Sequence, residues 1–398
     1  MRAALGRPTP SLRHEPRLPV QWPVAAFGGV VFLVGGLALG AQDWKQGTLF
    51  AVGALLGMSL FHGAFGFTAA YRRAMVRREV SGIYAQLLML AVASLLFAPV
   101  LAAGGVFGHG VSGAVAPVGL QLAVGSFLFG LGMQLGGGCG SGTLFTVGGG
   151  NARMVVTLLA FCLGAFWGSL HLGWWAALPR WAPVSLGREL GWTAGVALQM
   201  MLLVLIGLGL RAWAGGVRQQ PLWAGLTWRM LLSGPWPLVL SALLLALLNW
   251  AVLLIAGHPW SITWGFTLWG AKAAAALGWD PASSGFWQGG FQQEALARGV
   301  LRDTTSIMDL GIMLGALLAA GLAGSFRPSW RIPPRSLAAA VIGGLLLGYG
   351  ARLAYGCNIG AFFSGVASTS LHGWAWILFA LPGNWVGIRL RPLFGLEN

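Results

Sequence analysis

Residues Leu135–Gly150 read LGGGCGSGTLFTVGGG, within a chain that is otherwise almost continuously apolar. A helix that only fills a bilayer has no use for Gly136, Gly137, Gly138, Gly140 and Gly142, because each interior glycine costs up to about 1 kcal/mol of helix stability. These glycines bracket one thiol, Cys139, and two hydroxyls, Ser141 and Thr143. Breaking a helix at membrane depth frees backbone N–H and C=O groups. That is tolerated only where the backbone is buried in protein or lines a cavity. The stretch therefore predicts a broken helix facing a small polar site, with Cys139 at its turn.

The surrounding composition fixes the class. Of the 398 residues, 57% are hydrophobic and only 8% are charged, against about 25% charged in an ordinary soluble protein. Mean hydropathy is +0.74. The expected fold is all-α: a polytopic membrane protein with about 9–11 transmembrane helices at roughly 20 apolar residues per crossing. The net charge of +15 raises the question of nucleic acid. Its arginines, however, sit in short gaps between apolar runs, where they read as the positive-inside signal. Three cysteines in apolar surroundings do not make a disulfide framework. Met1–Val20 is rich in Arg and Pro and lacks the early apolar core of a signal peptide.

The chain divides into a basic tail over 1–22, with Arg2, Arg7, Arg13 and Arg17, a first membrane half over 23–215, a connection over 216–235 and a second half over 236–398. The gaps Tyr71–Glu79, Arg211–Arg229 and Arg327–Arg335 hold the arginine clusters and are expected on the cytoplasmic side, together with both termini. Gly104–Gly113 has no Lys or Arg and is expected outside. Ser261–Leu277 is apolar, carries Lys272 and reads as re-entrant.

The halves are related. A shift of 218 residues lays Gly130 on Gly348, Gly132 on Gly350, Leu135 on Leu353, Gly138 on Gly356, Cys139 on Cys357, Gly142 on Gly360 and Trp167 on Trp385. Cys162 falls on Ala380 and lies outside the repeat. The charge pattern sends the helix before Cys139 inward and the helix before Cys357 outward, so the repeat is expected to be inverted. Inverted repeats with broken helices meeting near the midplane are a transporter signature.

At GGGCGSGTLF and ARLAYGCNIGAFFSG the chain resembles the YeeE/YedE sulfur-transport family of bacterial inner-membrane proteins. TWGFTLWGAK (Thr263–Lys272) and the LHGWAW stretch after Cys357 belong to the same likeness, which covers roughly Gly47–Trp175 and Ser261–Arg391. The resemblance implies uptake of thiosulfate or a related sulfur or selenium compound through the inner membrane. It implies passage along cysteine thiols in a narrow path, often with a small TusA-like sulfur-carrier partner. The family commonly has a further cysteine in F-C-F-x-x-A-[FY]-R. Here that stretch is Phe65-Gly66-Phe67-Thr68-Ala69-Ala70-Tyr71-Arg72, and glycine replaces the thiol.

The candidate path residues are Cys139 and Cys357, with Ser141, Thr143 and Asn358 as hydrogen-bond donors. Gly138, Gly140, Gly142, Gly356 and Gly360 shape the breaks, and Gly66 occupies the third thiol's place. A small anion in transit needs donors that do not hold it too tightly. Neutral thiols, hydroxyls and helix N-terminal N–H groups fit that need. The alternative use of the hydroxyls and the amide is local capping. Intramembrane ionisable groups are functional candidates. Lys272 either attracts the anion or pairs with Asp303 or Asp309; Arg352 either lines a vestibule or snorkels. Cys162 reads as a packing residue. No metal spacing, Walker lysine or dinucleotide loop is present, so neither metal nor cofactor is expected. The competing class is a membrane thiol–disulfide oxidoreductase or sulfurtransferase using Cys139 and Cys357 covalently. A CxxC pair or an adjacent base would favour it, and neither is visible.

Overall fold

The structure is a computed structural model that describes residues 19–398; the arginines of the basic tail up to Arg17 lie outside the described residues. The helices run in the order α1 (Trp22–Gln42), α2 (Trp44–His62), α3 (Phe67–Arg77), α4 (Ser81–Ala103), α5 (Leu120–Gly136), α6 (Gly140–Gly148), α7 (Ala152–Leu170), α8 (Leu172–Ala176), α9 (Leu186–Glu189), α10 (Trp192–Ala214), α11 (Trp228–Ser233), α12 (Leu238–Ala256), α13 (Thr263–Ala276), α14 (Gly290–Ala297), α15 (Thr304–Leu322), α16 (Pro334–Leu353), α17 (Ser364–Ala367) and α18 (Leu371–Leu390). A π-helical turn, Asn358–Phe363, leads into α17. One two-stranded hairpin, Gly105–Val106 with His109–Gly110, follows α4. Among the described residues, nine segments are long and apolar enough to cross a membrane. The protein is an all-α polytopic membrane protein.

Local chemistry sets the ends. Asp43 closes α1, and its carboxylate accepts from Lys45 N at 2.9 Å to start α2. Asn151 caps α7 through Met154 N, and Asp303 caps α15 through Ser306 N. These side chains satisfy the orphan donors of a helix's first turn. α13, with 14 residues, rises only about 21 Å, too short to span the bilayer core of about 30 Å.

The repeat appears as packing. A Cβ on Gly125 would strike the Leu353–Ala354 segment, and one on Gly136 would meet Leu347, so α5 and α16 run antiparallel. Gly344 presses on Thr157 and Gly348 on Phe161, so α7 runs parallel to α16. In the same way, Gly383 presses on Phe127 and Gly387 on Leu131, setting α18 parallel to α5. Exchanging α5 with α16 and α7 with α18 turns each of these contacts into another. Small residues at the crossings let the backbones touch, the usual source of helix adhesion in lipid. The 218-residue shift also lays α2 on α13, α3 on α14 and α4 on α15.

One expectation changes. Tyr71–Glu79 is not a simple gap, since α3 runs through it to Arg77. Phe67, Thr68, Ala70, Tyr71 and Ala74 form a buried stripe at helical spacing, while the arginines occupy the other side. Charge density hid an amphipathic helix.

Candidate functional site

Both cysteines stand at helix N-termini. Cys139 has extended backbone and precedes α6; Cys357 does the same before the π-helical turn. In each break the glycine ahead of the thiol makes the turn: Gly137 has φ +97° and Gly356 has φ +147°, where a side chain is strained. Gly142 N donates to Cys139 Sγ at 3.5 Å, and Ile359 N approaches Cys357 Sγ at 3.4 Å. Ser141 Oγ lies 3.4 Å from Cys139 Sγ. Thr143 Oγ1 instead donates to the Cys139 carbonyl, four residues back, at 2.8 Å, a bond local to the first turn of α6.

The two breaks meet. A Cβ on Gly140 would stand 3.0 Å from Cys357 Sγ and 3.3 Å from Ile262, so the first break has a glycine where the second thiol needs room. A Cβ on Gly142 would lie 3.5 Å from Cys139 Sγ, and one on Gly360 would lie 3.4 Å from Ser261 Oγ. Gly138 is tight against Gly142 and Thr143 in the first turn of α6. Cys139 is 1% and Cys357 0% exposed. Asn358 Nδ2 donates to Tyr71 Oη at 3.3 Å, and its Oδ1 has no partner among the described residues. Thus α3, α6, the segment before α13 and the π-helical turn converge on one buried point.

Gly66 begins α3 one turn before Tyr71, with φ −113° and no atom closer than 3.9 Å to where its Cβ would stand. Glycine is not required there by backbone conformation.

Two expected residues lie elsewhere. Lys272 Nζ donates to the Leu296 carbonyl at 2.7 Å and to that of Arg298, rather than to a carboxylate. Carbonyls at the C-terminal end of α14 stand in place of the ion pair, which was one of the alternatives the sequence left open. Asp303 caps α15 and accepts from Trp264 Nε1. Asp309 is 0% exposed, with neither carboxyl oxygen partnered among the described residues. Arg352 packs its Cβ against Gly168 and stacks its guanidinium over Phe286, 5.5 Å from the ring centre, on the side of α16 that faces α7. Cys162 is half-buried on α7, its carbonyl against Gly270 of α13.

Sequence reasoning missed the group around the end of α5. Arg153 donates to the Gly136 carbonyl at 2.7 Å and to that of Leu135 at 2.6 Å; Arg391 donates to that of Gln134 at 2.7 Å. Arg72 reaches Gln134 Oε1 at 3.4 Å. Three cations thus crowd a helix C-terminus, the end whose dipole attracts positive charge. Burial, then Arg72 and Arg153, lower the Arg391 guanidinium to about 10, so it stays charged at neutral pH. Only the arginine count of the gaps hinted at this cluster. Tyr71 was legible as part of the F-x-F-x-x-A-Y-R stretch, but not as a neighbour of Asn358.

The helical fold, doubled about two broken helices, is that of a polytopic membrane protein. The chain matches the family described as Sulphur transport over residues 62–386, and it belongs to that family. It is 33% identical over 172 residues to the probable transporter YedE of Escherichia coli K12, covering 42% of this chain and 40% of that protein. The YedE of Salmonella typhimurium LT2 is 34% identical over 173 residues, covering 42% and 41%. The thiosulfate transporter TsuA of Spirochaeta thermophila is 45% identical over 76 residues, covering 19% and 23%. The matched stretch spans about two fifths of the YedE relatives' length.

Proposed function

We propose that this transporter carries a small sulfur-containing anion, thiosulfate or a close sulfur or selenium relative, through the bacterial inner membrane along Cys139 and Cys357. The observation that carries the reading is the meeting of the breaks: Cys357 Sγ rests on Gly140, the residue after Cys139. Two helix N-termini and two polarisable thiols give an anion weak, replaceable donors. A terminal sulfur can exchange one S–H contact for the next without a fixed cation holding it. The TsuA relative's name supports thiosulfate as the substrate.

The contacts of the thiols favour transport over covalent chemistry. Among the described residues they are a hydroxyl and backbone N–H groups, not a base. A thiolate nucleophile is ordinarily made by an adjacent base or cation.

At the arginine-rich end of α3, a cavity of about 280 Å³ lined by Arg72, Arg73 and Arg77, with Glu397 and Asn398 of the C-terminus, suits release of an anion. In this reading that end is cytoplasmic, and a TusA-like carrier receives the sulfur there. The decisive experiment is uptake of labelled thiosulfate into proteoliposomes, with sulfate and selenite as competitors. Saturable uptake that sulfate leaves intact supports the reading; equal inhibition by sulfate removes the role of the terminal sulfur. Reporter fusions after Arg77 and Arg331 are expected to report the same side.

A further inference from the structure

We propose that the lipid-facing groove between α1 and α15, with the basic pocket at its end, is a binding site for one anionic phospholipid. The groove encloses about 630 Å³ and is lined by apolar side chains including Val31, Ala38, Phe50, Leu310 and Leu317. That volume lies in the range of about 300–1,000 Å³ usual for ligand sites. It runs the depth of the bundle, from Leu301 just ahead of α15 to Phe326 just beyond it. α1 leans chiefly on α2 and α15 and leaves Phe27, Leu33 and Leu37 exposed, so the groove opens sideways to lipid. Trp330, 70% exposed, stands at its mouth, as tryptophans do at the membrane–water interface.

The groove does not end on an apolar wall. Through Gly150, Asn151 and Ala152 it joins a second cavity of about 190 Å³ lined by Arg153, Arg327, Arg331, Ser329 and Ser336. Arg153 is engaged with Ser336 and the end of α5. Arg327 and Arg331 are exposed, and among the described residues neither is in an ion pair. The N-termini of α7 and α16 also border this cavity, adding partial positive charge. Apolar walls for acyl chains, ending at the guanidiniums of Arg327 and Arg331, match a phosphodiester headgroup.

Charge selects among occupants. A zwitterionic lipid would bring its own cation to Arg327 and Arg331. A second copy of this chain has only 9 acidic residues against 24 basic ones with which to meet them. The tail with Arg2, Arg7, Arg13 and Arg17 carries the wrong sign.

The test is native mass spectrometry of the delipidated protein titrated with dioleoyl phosphatidylglycerol or dioleoyl phosphatidylcholine. One phosphatidylglycerol should bind, preferred over phosphatidylcholine by about tenfold or more. The double variant Arg327→Gln/Arg331→Gln should erase that preference. Ala38→Trp, which fills the groove far from the arginines, should weaken both lipids while leaving the elution volume of the protein unchanged. Millimolar inorganic phosphate should not compete. Equal binding of the two lipids to the wild type, unchanged phosphatidylglycerol binding in both variants, or displacement by inorganic phosphate would each overturn the proposal.

Discussion

The two broken helices come from one duplicated pattern, yet they end differently. At the first, the last carbonyls of α5 are held by Arg153 and Arg391, with Arg72 on the Gln134 side chain. At the second, neutral groups do the same work: Gln121 Nε2 donates to the Leu353 carbonyl at 3.0 Å, and Trp376 Nε1 donates to that of Gly356 at 3.3 Å. The repeat position of Arg153 in the second half is Leu371. After Cys139 comes a regular nine-residue α-helix; after Cys357 comes a π-helical turn, a form often found at functional sites. The halves thus share the thiol and its N-terminal setting but not the charge behind it. In the proposed reading, an anion passing from Cys357 to Cys139 moves toward positive potential without meeting a cation at either thiol.

The comparison breaks first at the contact between the halves. Gly140→Val puts carbon where Cys357 Sγ rests. Uptake should fall by about a hundredfold, the scale on which a misplacement of about 1 Å acts at a reacting centre. Uptake near wild type in a folded protein would mean that the thiols do not work together.

Next comes the asymmetry of the carbonyl caps. Arg153→Gln removes the charge-assisted bonds to the Leu135 and Gly136 carbonyls and to Ser336 and should cost about 2 kcal/mol or more, seen as a lower thermal midpoint in detergent together with slower uptake. Gln121→Leu, at the neutral cap, should cost about 1 kcal/mol. A larger loss from Gln121→Leu would reverse the assignment of charge to the first half.

A smaller effect is expected at Gly66. The open space around it and its negative φ let Gly66→Cys fold within about 0.5 kcal/mol of wild type. Its thiol should react with methanethiosulfonate reagents, and thiosulfate should slow that reaction. A thiol that stays unreactive while thiosulfate still protects Cys139 would put Gly66 off the path. Smallest of all is Cys162→Ala: uptake should be unchanged, with a stability cost of about 1 kcal/mol. Loss of uptake there would extend the path outside the repeat.

The features that could be read ahead of the structure are those written in local chemistry. Apolar runs gave the crossings, and the paired Gly–Cys motifs gave the breaks at Cys139 and Cys357, because backbone cost at membrane depth leaves a mark in composition; the arginine pattern gave the opposed directions of the two halves. Asn358 could be read because it directly follows a thiol. Tyr71 could not be placed: its contact with Asn358 joins residues 287 apart in the chain, and its own segment is dominated by arginines. For Lys272 the expected alternative of an ion pair is not what the structure shows, because backbone carbonyls, which have no sequence signature, take the place of a carboxylate. The arginine caps were hidden for the same reason, since Arg153 and Arg391 serve carbonyls rather than acidic side chains.

The account rests on two thiols acting as stations for one anion. Its most direct test is thiosulfate uptake into proteoliposomes by Cys139→Ala and Cys357→Ala, each checked for unchanged elution and thermal midpoint. Alanine replaces a small buried thiol, so the fold should survive. Each variant should lose most uptake, and Cys139→Ser, which keeps a donor but cannot form a persulfide, should retain part of it. Wild-type uptake by Cys139→Ala would contradict the account and leave the glycine-rich breaks as packing devices.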